Sequence, residues 1–446
     1  MKKILFVSLL ASVIVLSQHC APEKKIAVTP QQMAKFNFAI KQADDYYQNG
    51  SYLSLKKAFE IYEYFVNFPA LRHKTRIKFL KTALLLSLRQ FELSIINHSY
   101  LKKAKNLVKV DPSLSKFDFY IESVKFMIGY SGGISNSYEK YDREDDQLDY
   151  FFDWVKDNAA LLNEKLQKIA PYDEFFAYFY IAVNENFSYW IQNKQDVLLL
   201  KKIFPGSPLI QFKLSIFPKI DQSGLKNVIS SLTDFYEVYG FLGQSEFLVG
   251  KTLTSEKNFL HMYDHIPYSI WNMLSLTKVY FILEEYDKCL EFNEKILKFS
   301  PSNRNALLGK AICLSFLGKH KEAISVCNIM LQLGKYNIGE SYYWLAWNEN
   351  HLNELDSAWK NAQTSKKYLF GHHELLFLSG IIAYKMEDFI QAEKEFKEAL
   401  KMNPGYCEAS YYLGNIYVKQ DNWKTSGDHY QASAQCSQRQ ETAIRN

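Results

Sequence analysis

A repeat of 34 residues occupies the stretch from Tyr236 to Gln440 and limits what this chain can fold into. Pro267 and Pro301 lie 34 residues apart, and Pro404 follows close to three periods later. Aligning the chain on these prolines gives six units of 34 or 35 residues, which begin at Tyr236, Ile270, Arg304, Gly339, His373 and Cys407. A fixed period of this size predicts stacked supersecondary units.

Small residues recur at two phases of this repeat. The eighth residues of the units are Gly243, Thr277, Ala311, Ala346, Gly380 and Gly414, and the twentieth are Ser255, Cys289, Ala323, Ala358, Ala392 and Ser426. Gly (18) and Pro (11) are scarce overall, and no run of alternating polar and apolar residues suggests strands. The pattern therefore predicts an all-α chain whose units are hairpins of two closely packed helices.

The units share further residues that carry a family resemblance. The fifth unit has Ser379-Gly380, Phe389, Ala392, Phe396, Ala399 and Pro404, and the sixth has Leu413-Gly414, Tyr417, Trp423 and Tyr430. This pattern resembles the tetratricopeptide repeat. The fourth unit departs from it, with Phe370 in place of the final proline and one extra residue. The resemblance covers about half the chain and implies a right-handed superhelical solenoid of antiparallel helix hairpins with a concave binding face.

Residues 31–235 are helical in pattern but carry no clean repeat. Helices over 31–48 and 53–68 flank an Asn49-Gly50 turn, with small residues at Ala43 and Ala58, as in a degenerate hairpin of the same kind. A later helix is expected to end at Gly129, before a glycine- and serine-rich loop. We interpret this region as an irregular continuation of the solenoid that leads into six tandem units over 236–440; an independent helical domain is the alternative.

The first residues have the form of a secretory signal. Lys2 and Lys3 precede an uncharged apolar stretch and a short polar end that stops at Cys20. The position of Cys20 resembles that of the lipidated cysteine in bacterial lipoproteins, although those signals favour a small residue where this chain has His19. We therefore expect a signal peptide over 1–19 and a lipidated Cys20 with a tether over 20–30; an uncleaved amphipathic anchor or a secreted protein is the alternative. The mature protein would be lipid-anchored in the bacterial envelope, at the outer membrane or at the periplasmic face of the inner membrane.

Net charge argues against nucleic acid as a partner. The chain carries +5, and removal of Lys2 and Lys3 with the signal leaves +3, dispersed along the sequence. Nucleic-acid binding proteins concentrate positive charge on one face.

Motifs for catalysis are weak, and we predict no enzyme. Gly129-Tyr130-Ser131-Gly132-Gly133 matches the letters of a nucleophile elbow, which requires a strand before the serine, whereas a helix precedes it here. An enzyme that uses Ser131 is the least favoured hypothesis.

No metal or cofactor is predicted either. His261 and His265 lie one helical turn apart, but Met262 stands where a metalloprotease needs Glu, and no third ligand can be named. His372-His373-Glu374 lies in a turn between repeats and is not predicted to bind a metal, for the same reason. The acids at 142–149 lack the Gly and Glu of a calcium-binding loop.

The cysteines form no C-x-x-C pair. If Cys20 carries lipid, five remain, which leaves at least one thiol free or paired between chains. Small apolar packing is the expected role of those near the helix contacts.

The resemblance also implies a ligand-binding face. In that family the second, fifth, ninth and twelfth residues of each first helix line the concave groove. The predicted binding residues in the last three units are Tyr343, Trp347, Asn350, Phe377, Ile381, Tyr384, Tyr411 and Asn415. The same positions in the first three units hold Glu237, Gln244, Phe247, Trp271, Lys278, Phe281, Asn305 and Ile312. Burial of these side chains by neighbouring turns or by the amino-terminal half is the alternative.

The favoured function is a non-enzymatic, envelope-anchored scaffold that binds a protein or peptide partner in this groove. The alternative is a glycan- or cell-wall-binding lipoprotein, since Trp and Tyr beside Asn and Glu also suit sugar stacking.

Overall fold

The protein is all-α throughout the part that the computed structural model describes. The described residues are 28–97, 99–135, 158, 161–186, 194–217, 219–334 and 337–445, and every regular element among them is helical. The predicted signal peptide, Cys20 and the acids at 142–149 lie outside the described residues.

The amino-terminal half is a series of helices of unequal length. They are α1 (Pro30–Asn49), α2 (Tyr52–Phe65), α3 (Arg72–Glu92), α4 (Ser99–Val110), α5 (Asp118–Ser135), α6 (residues 161–169), α7 (Glu174–Asn186), α8 (Lys194–Ile203), α9 (Pro208–Ile216) and α10 (Gln222–Ser231). Short 3-10 turns over Pro112–Phe117 and Ala170–Tyr172 connect some of them.

Helices α1 and α2 form the hairpin that the sequence predicted. Ala43 and Ala58 are both fully buried. Gly50 turns the chain at a φ of +74°, and a Cβ added there would lie 2.6 Å from Leu209 Cβ. Glycine is therefore required at this turn for both its conformation and its size.

The expected loop after Gly129 is wrong for the residues that the structure describes. Helix α5 continues through the glycines and Ser131 to Ser135. Glycine lowers helix stability by roughly 1 kcal/mol relative to alanine but does not forbid the helical conformation. Ser131 therefore lies in a helix and does not follow a strand, as a nucleophile elbow would require.

The carboxyl-terminal half contains the six predicted hairpins. Their helices are α11 (Glu237–Leu248) and α12 (Thr252–His265), α13 (Ile270–Ile282) and α14 (Tyr286–Phe299), α15 (Arg304–Phe316) and α16 (His320–Gln332), α17 (Ile338–His351) and α18 (Leu355–Ser365), α19 (His373–Lys385) and α20 (Phe389–Met402), and α21 (Cys407–Lys419) and α22 (Trp423–Arg445). Each first helix starts within one residue of the predicted unit start. The all-α solenoid predicted from the repeat is confirmed.

The small residues of the repeat lie where the two helices of a hairpin meet. All twelve residues at the eighth and twentieth positions are buried. In the first and last units the contact is close enough for a hydrogen bond: Ser255 Oγ donates to the Gly243 carbonyl at 2.8 Å, and Ser426 Oγ to the Gly414 carbonyl at 3.0 Å.

The eighth residue is matched in size to the twenty-fourth. Where the eighth residue is glycine, the twenty-fourth is aromatic, and where the eighth is larger the twenty-fourth is smaller; the pairs are Gly243–Phe259, Thr277–Asn293, Ala311–Cys327, Ala346–Ala362, Gly380–Phe396 and Gly414–Tyr430. A Cβ added to Gly380 would lie 2.6 Å from the Phe396 ring, and one added to Gly414 would lie 2.6 Å from the Tyr430 ring. The two positions therefore share one fixed volume between the helices.

The amino-terminal half packs directly on the first two units. Met262 and Ile266 belong to the same buried cluster as the core of α2, α3 and α7. Ser269 Oγ donates to the Leu93 carbonyl at 2.7 Å, and the Ile270 amide donates to the Ser94 carbonyl at 3.3 Å.

A buried network of charges joins the two halves. The guanidinium of Arg89 is fully buried and lies 2.7 Å from Glu237 Oε1 and 2.5 Å from Glu92 Oε2. Glu237 Oε1 also accepts a hydrogen bond from the Tyr52 amide at 2.6 Å. The ammonium of Lys213 pairs with Glu92 as well. The network therefore includes buried ion pairs between residues that are far apart in sequence.

The balance of charges keeps the Glu92 carboxylate ionised. Burial alone would raise the pKa of Glu92, but the positive charges of Lys213 and Arg89 outweigh it and lower that pKa below its usual value. Removing one partner from such a network leaves a charge buried without compensation, which is strongly destabilising.

We predict that Glu237→Gln, which keeps the shape of the side chain but removes its charge, lowers the free energy of unfolding by about 3 kcal/mol. Chemical denaturation measures the change. Glu164→Gln is the matched control, because Glu164 pairs with Lys168 on the exposed surface of α6, and it should leave the denaturation curve unchanged. Equal stability of the Glu237→Gln variant and the wild type would contradict a structural role for the network.

Candidate functional site

The predicted binding residues of the fourth unit differ in how far their side chains are buried. Tyr343 and Trp347 are half-buried and pack on the core formed by the fourth and fifth units. Their ring centroids are 6.4 Å apart. Asn350 is buried, and its side-chain oxygen has no hydrogen-bond partner among the described residues. The carbonyl of Asn350 accepts a hydrogen bond from Lys385 Nζ at 3.2 Å.

The predicted residues of the fifth unit are held by aromatic neighbours. Phe377, Ile381 and Tyr384 are half-buried and pack on the core of the fifth and sixth units. The Phe377 ring lies 4.8 Å from the ring of Tyr406, and the Tyr384 ring lies 5.5 Å from that of Tyr412. These contacts fix the orientation of the rings.

The two predicted residues of the sixth unit differ in availability. Tyr411 is 50% exposed, so much of its ring faces solvent. Asn415 is half-buried, and its side-chain oxygen accepts a hydrogen bond from the Tyr430 hydroxyl at 2.6 Å. Asn415 therefore already has an internal partner.

Rings in contact form an unbroken path from the second unit to the sixth, which we call the aromatic ribbon. Successive ring centroids along it are at most 6.5 Å apart, and its members in order are Phe281, Phe316, Trp347, Tyr343, His372, His373, Tyr406, Phe377, Tyr412, Tyr411 and Tyr430. Rings packed in this way lose little conformational freedom when another surface binds them.

A cavity of about 470 Å³ opens between the first three units. Five of the eight groove positions named for these units line it, namely Phe247, Lys278, Phe281, Asn305 and Ile312. This volume lies within the range of small-ligand pockets. The eight predicted binding residues all lie outside this cavity, in the last three units.

Two other groove positions of the first units serve the fold. Glu237 is fully buried in the charge network that joins the two halves. The ring of Trp271 lies 4.8 Å from that of Phe241 and lies over Gly240, where an added Cβ would be 2.8 Å from the indole. Two of the eight groove positions named for the first three units therefore contribute to the packing of the fold.

The histidine pairs considered as metal ligands are packed against other groups. The His265 ring stacks on Tyr236 at 3.5 Å, and the His261 ring contacts Tyr239 at 4.2 Å. His372 lies 3.1 Å from Glu374 in the turn before α19. Across the described part of the chain, no three His, Cys, Asp or Glu side chains are grouped so that they could hold a metal ion.

One pair of cysteines is joined by a disulfide that the sequence did not predict. Cys407 at the start of α21 is bonded to Cys436 on α22, across the hairpin of the sixth unit. Cys289, Cys313 and Cys327 are free and buried. The odd number of remaining cysteines thus resolves as one bridge and three internal thiols.

Two of the free thiols contact each other at the edge of the cavity. The Cys313 thiol donates a hydrogen bond to the Cys289 sulfur, which raises the pKa of Cys313 and lowers that of Cys289. The side-chain nitrogen of Asn293 lies 3.6 Å from the Cys289 sulfur and 3.9 Å from the Cys313 sulfur.

No helix within the described residues is both long enough and apolar enough to cross a membrane.

Comparison with known proteins gives partial matches. No family model matches the chain. ER membrane protein complex subunit 2-A of Xenopus laevis is 25% identical over 143 residues, which cover 30% of this chain and 47% of that protein. Subunit 2 of the same complex from Xenopus tropicalis gives the same figures. The chain thus spans about half the length of the curated relatives it matches.

Several solved structures align with part of the chain. A MamA double mutant aligns over 39% of this chain and 97% of its own, at 16% identity and a TM-score of 0.35. YrrB, described as a TPR protein with an unusual peptide-binding site, aligns over 42% of this chain and 96% of its own, at 18% identity and a TM-score of 0.33. PilF of Pseudomonas aeruginosa aligns over 44% of this chain and 88% of its own, at 13% identity and a TM-score of 0.38.

Proposed function

We propose that this protein is a scaffold of the bacterial envelope that binds an extended segment of a partner protein along the face formed by its first helices. The aromatic ribbon is the observation that carries the proposal. It runs from the second unit to the sixth, and several of its rings stay open to solvent: Tyr411 is 50% exposed, Phe316 45% and Phe281 37%.

The placement of exposed apolar side chains on a protein indicates where a partner binds. Single exposed apolar residues are common on soluble proteins, but exposed rings connected by a row of half-buried rings mark an interaction surface. Aromatic side chains provide large contact areas and lose few rotamers on binding, so they are common anchors at interfaces. A long, narrow surface of this kind suits an extended partner segment better than a small, compact ligand.

Two observations support placement in the envelope. The first is the basic and apolar amino terminus that leads to Cys20. The second is the Cys407–Cys436 disulfide, because disulfides persist mainly in oxidising compartments such as the bacterial periplasm. A lipid on Cys20 would place the solenoid beside the membrane through the tether that follows it.

Site-specific photo-crosslinking in cells tests the binding surface. With p-benzoylphenylalanine in place of Tyr411, we expect a crosslinked partner, and mass spectrometry should locate the attachment in one continuous segment of it. Tyr64 is a matched control: it is 46% exposed but lies on α2 in the amino-terminal half, outside the ribbon. Equal crosslinking from the two positions would contradict the proposed surface.

Fractionation tests the anchor separately. Cys20→Ser should abolish labelling by an alkyne-tagged fatty acid and move the protein from the membrane fraction to the soluble fraction, because the thiol is the acceptor of the lipid. If the variant stays membrane-bound to the same extent as the wild type, the proposed lipid anchor is wrong.

A further inference from the structure

The cavity between the first three units is lined by a polar residue at a position of the repeat that is aromatic in three other units. In the first, fifth and sixth units the twenty-fourth residue is Phe259, Phe396 or Tyr430, and its ring fills the space between helices. The second unit has Asn293 at this position. Asn293 is fully buried and lines the cavity, together with Gly309 on the neighbouring helix α15.

The orientation of the Asn293 amide is fixed by its surroundings. Its nitrogen donates a hydrogen bond to the Cys289 carbonyl at 2.9 Å, and only the nitrogen of an amide can donate. Its oxygen must therefore face Gly309, where an added Cβ would lie 2.5 Å from it. That oxygen has no hydrogen-bond partner among the described residues. A buried acceptor without a donor costs about 1–3 kcal/mol, so a donor that enters the cavity would recover this energy.

The rest of the lining restricts what can carry that donor. The walls are mainly apolar, with Phe247, Leu274, Phe281, Leu308 and Ile312 among them. Of the described residues that line the cavity, Lys278 alone carries a formal positive charge, and no carboxylate is present. A lysine or arginine side chain would meet this positive charge without a counter-ion. A neutral, largely apolar group with one donor fits better.

Among protein side chains, the indole of tryptophan matches this description most closely, because it has a large apolar ring and a single N–H that only donates. We propose that the cavity is an anchor site for a tryptophan side chain of the bound partner segment, whose indole N–H donates to Asn293 Oδ1. Lys278 at the rim adds a cation near the electron-rich face of the ring. This inference rests on the proposed function and specifies one residue of the ligand.

Competition measured by ¹⁹F NMR on the mature, full chain tests the proposal. The probe is an acetylated, amidated peptide Gly-Gly-X-Gly-Gly in which X is 5-fluorotryptophan. Two unlabelled competitors share its sequence, with tryptophan or 3-benzothienylalanine at X. Benzothienylalanine keeps the ring shape of tryptophan but has sulfur in place of the N–H. We expect the tryptophan peptide to displace the probe at roughly tenfold lower concentration, the effect of one buried hydrogen bond.

Variants locate the effect. Asn293→Leu removes the acceptor at similar volume, so the two competitors should become equal. Phe281→Ala removes a wall and should weaken binding of both peptides several-fold. Phe299→Ala is the control, because Phe299 is 52% exposed at the end of α14 and does not line the cavity. Circular dichroism checks that each variant is folded, and the two competitors on the wild type test the proposal without any variant.

The outcomes separate this inference from the scaffold function. Equal competition by the two peptides on the wild type, as expected if water satisfies the Asn293 oxygen, overturns the tryptophan anchor. Absence of probe binding also overturns it. Crosslinking from position 411 is measured separately. If it yields a partner although the peptides give either of these results, the scaffold function stands. If it yields no partner as well, both proposals fail.

Discussion

The fit between the eighth and twenty-fourth residues of each unit is the contact on which the solenoid depends. It determines how closely the two helices of a hairpin approach, and hence how consecutive first helices come to share one face. The fit has two forms. Glycine faces an aromatic ring, as in Gly380–Phe396, or two smaller side chains meet, as in Ala346–Ala362. Because protein interiors are close-packed, either form fills the space, whereas a mixture of the two would clash or leave a void.

The second unit has the form with two smaller side chains, but one of them is a polar amide. Thr277 faces Asn293, which is polar and does not fill the space as a ring would. Both residues line the cavity, beside Phe281, the first ring of the aromatic ribbon. A polar side chain at this position of the repeat thus gives the cavity a candidate recognition group, at the cost of one buried acceptor without a donor.

The amino-terminal half contributes specificity to the assembly. Arg89, Glu92, Lys213 and Glu237 hold their charges away from water, although Arg89 Nε and Glu237 Oε2 have no hydrogen-bond partner among the described residues. Buried ion pairs of this kind add little net stability compared with apolar packing, but they penalise any other arrangement of the partners. The network therefore fixes where the first unit sits against the amino-terminal helices, and it removes Glu237 from the binding face.

The sequence predicted the features that follow from the period of the repeat. It left open the features that depend on contacts between residues far apart in sequence. The six hairpins and their starting residues follow from small side chains at fixed spacing. The turn between the two helices of a unit was harder to predict. The fifteenth residue of every unit lies in this turn and has a positive φ, but it is glycine only in the first and third units, as Gly250 and Gly318. In the other units it is Glu284, Asn353, Glu387 and Asp421. The sequence could not reveal the charge network or the Cys407–Cys436 bridge, because nothing local specifies their partners. For the cavity, a signal existed: Asn293 is a polar amide at a position where the other five units have an aromatic ring or a small apolar side chain.

A double-mutant cycle on Gly380 and Phe396 tests the central packing claim most directly. Alone, Gly380→Ala should lower the free energy of unfolding by about 1–3 kcal/mol, because its Cβ meets the Phe396 ring. In a Phe396→Ala background the same substitution should be neutral or stabilising, as it recreates the Ala346–Ala362 pair of the fourth unit. If Gly380→Ala costs the same free energy in both backgrounds, the two positions do not share a volume, and the size match between them does not hold the solenoid together.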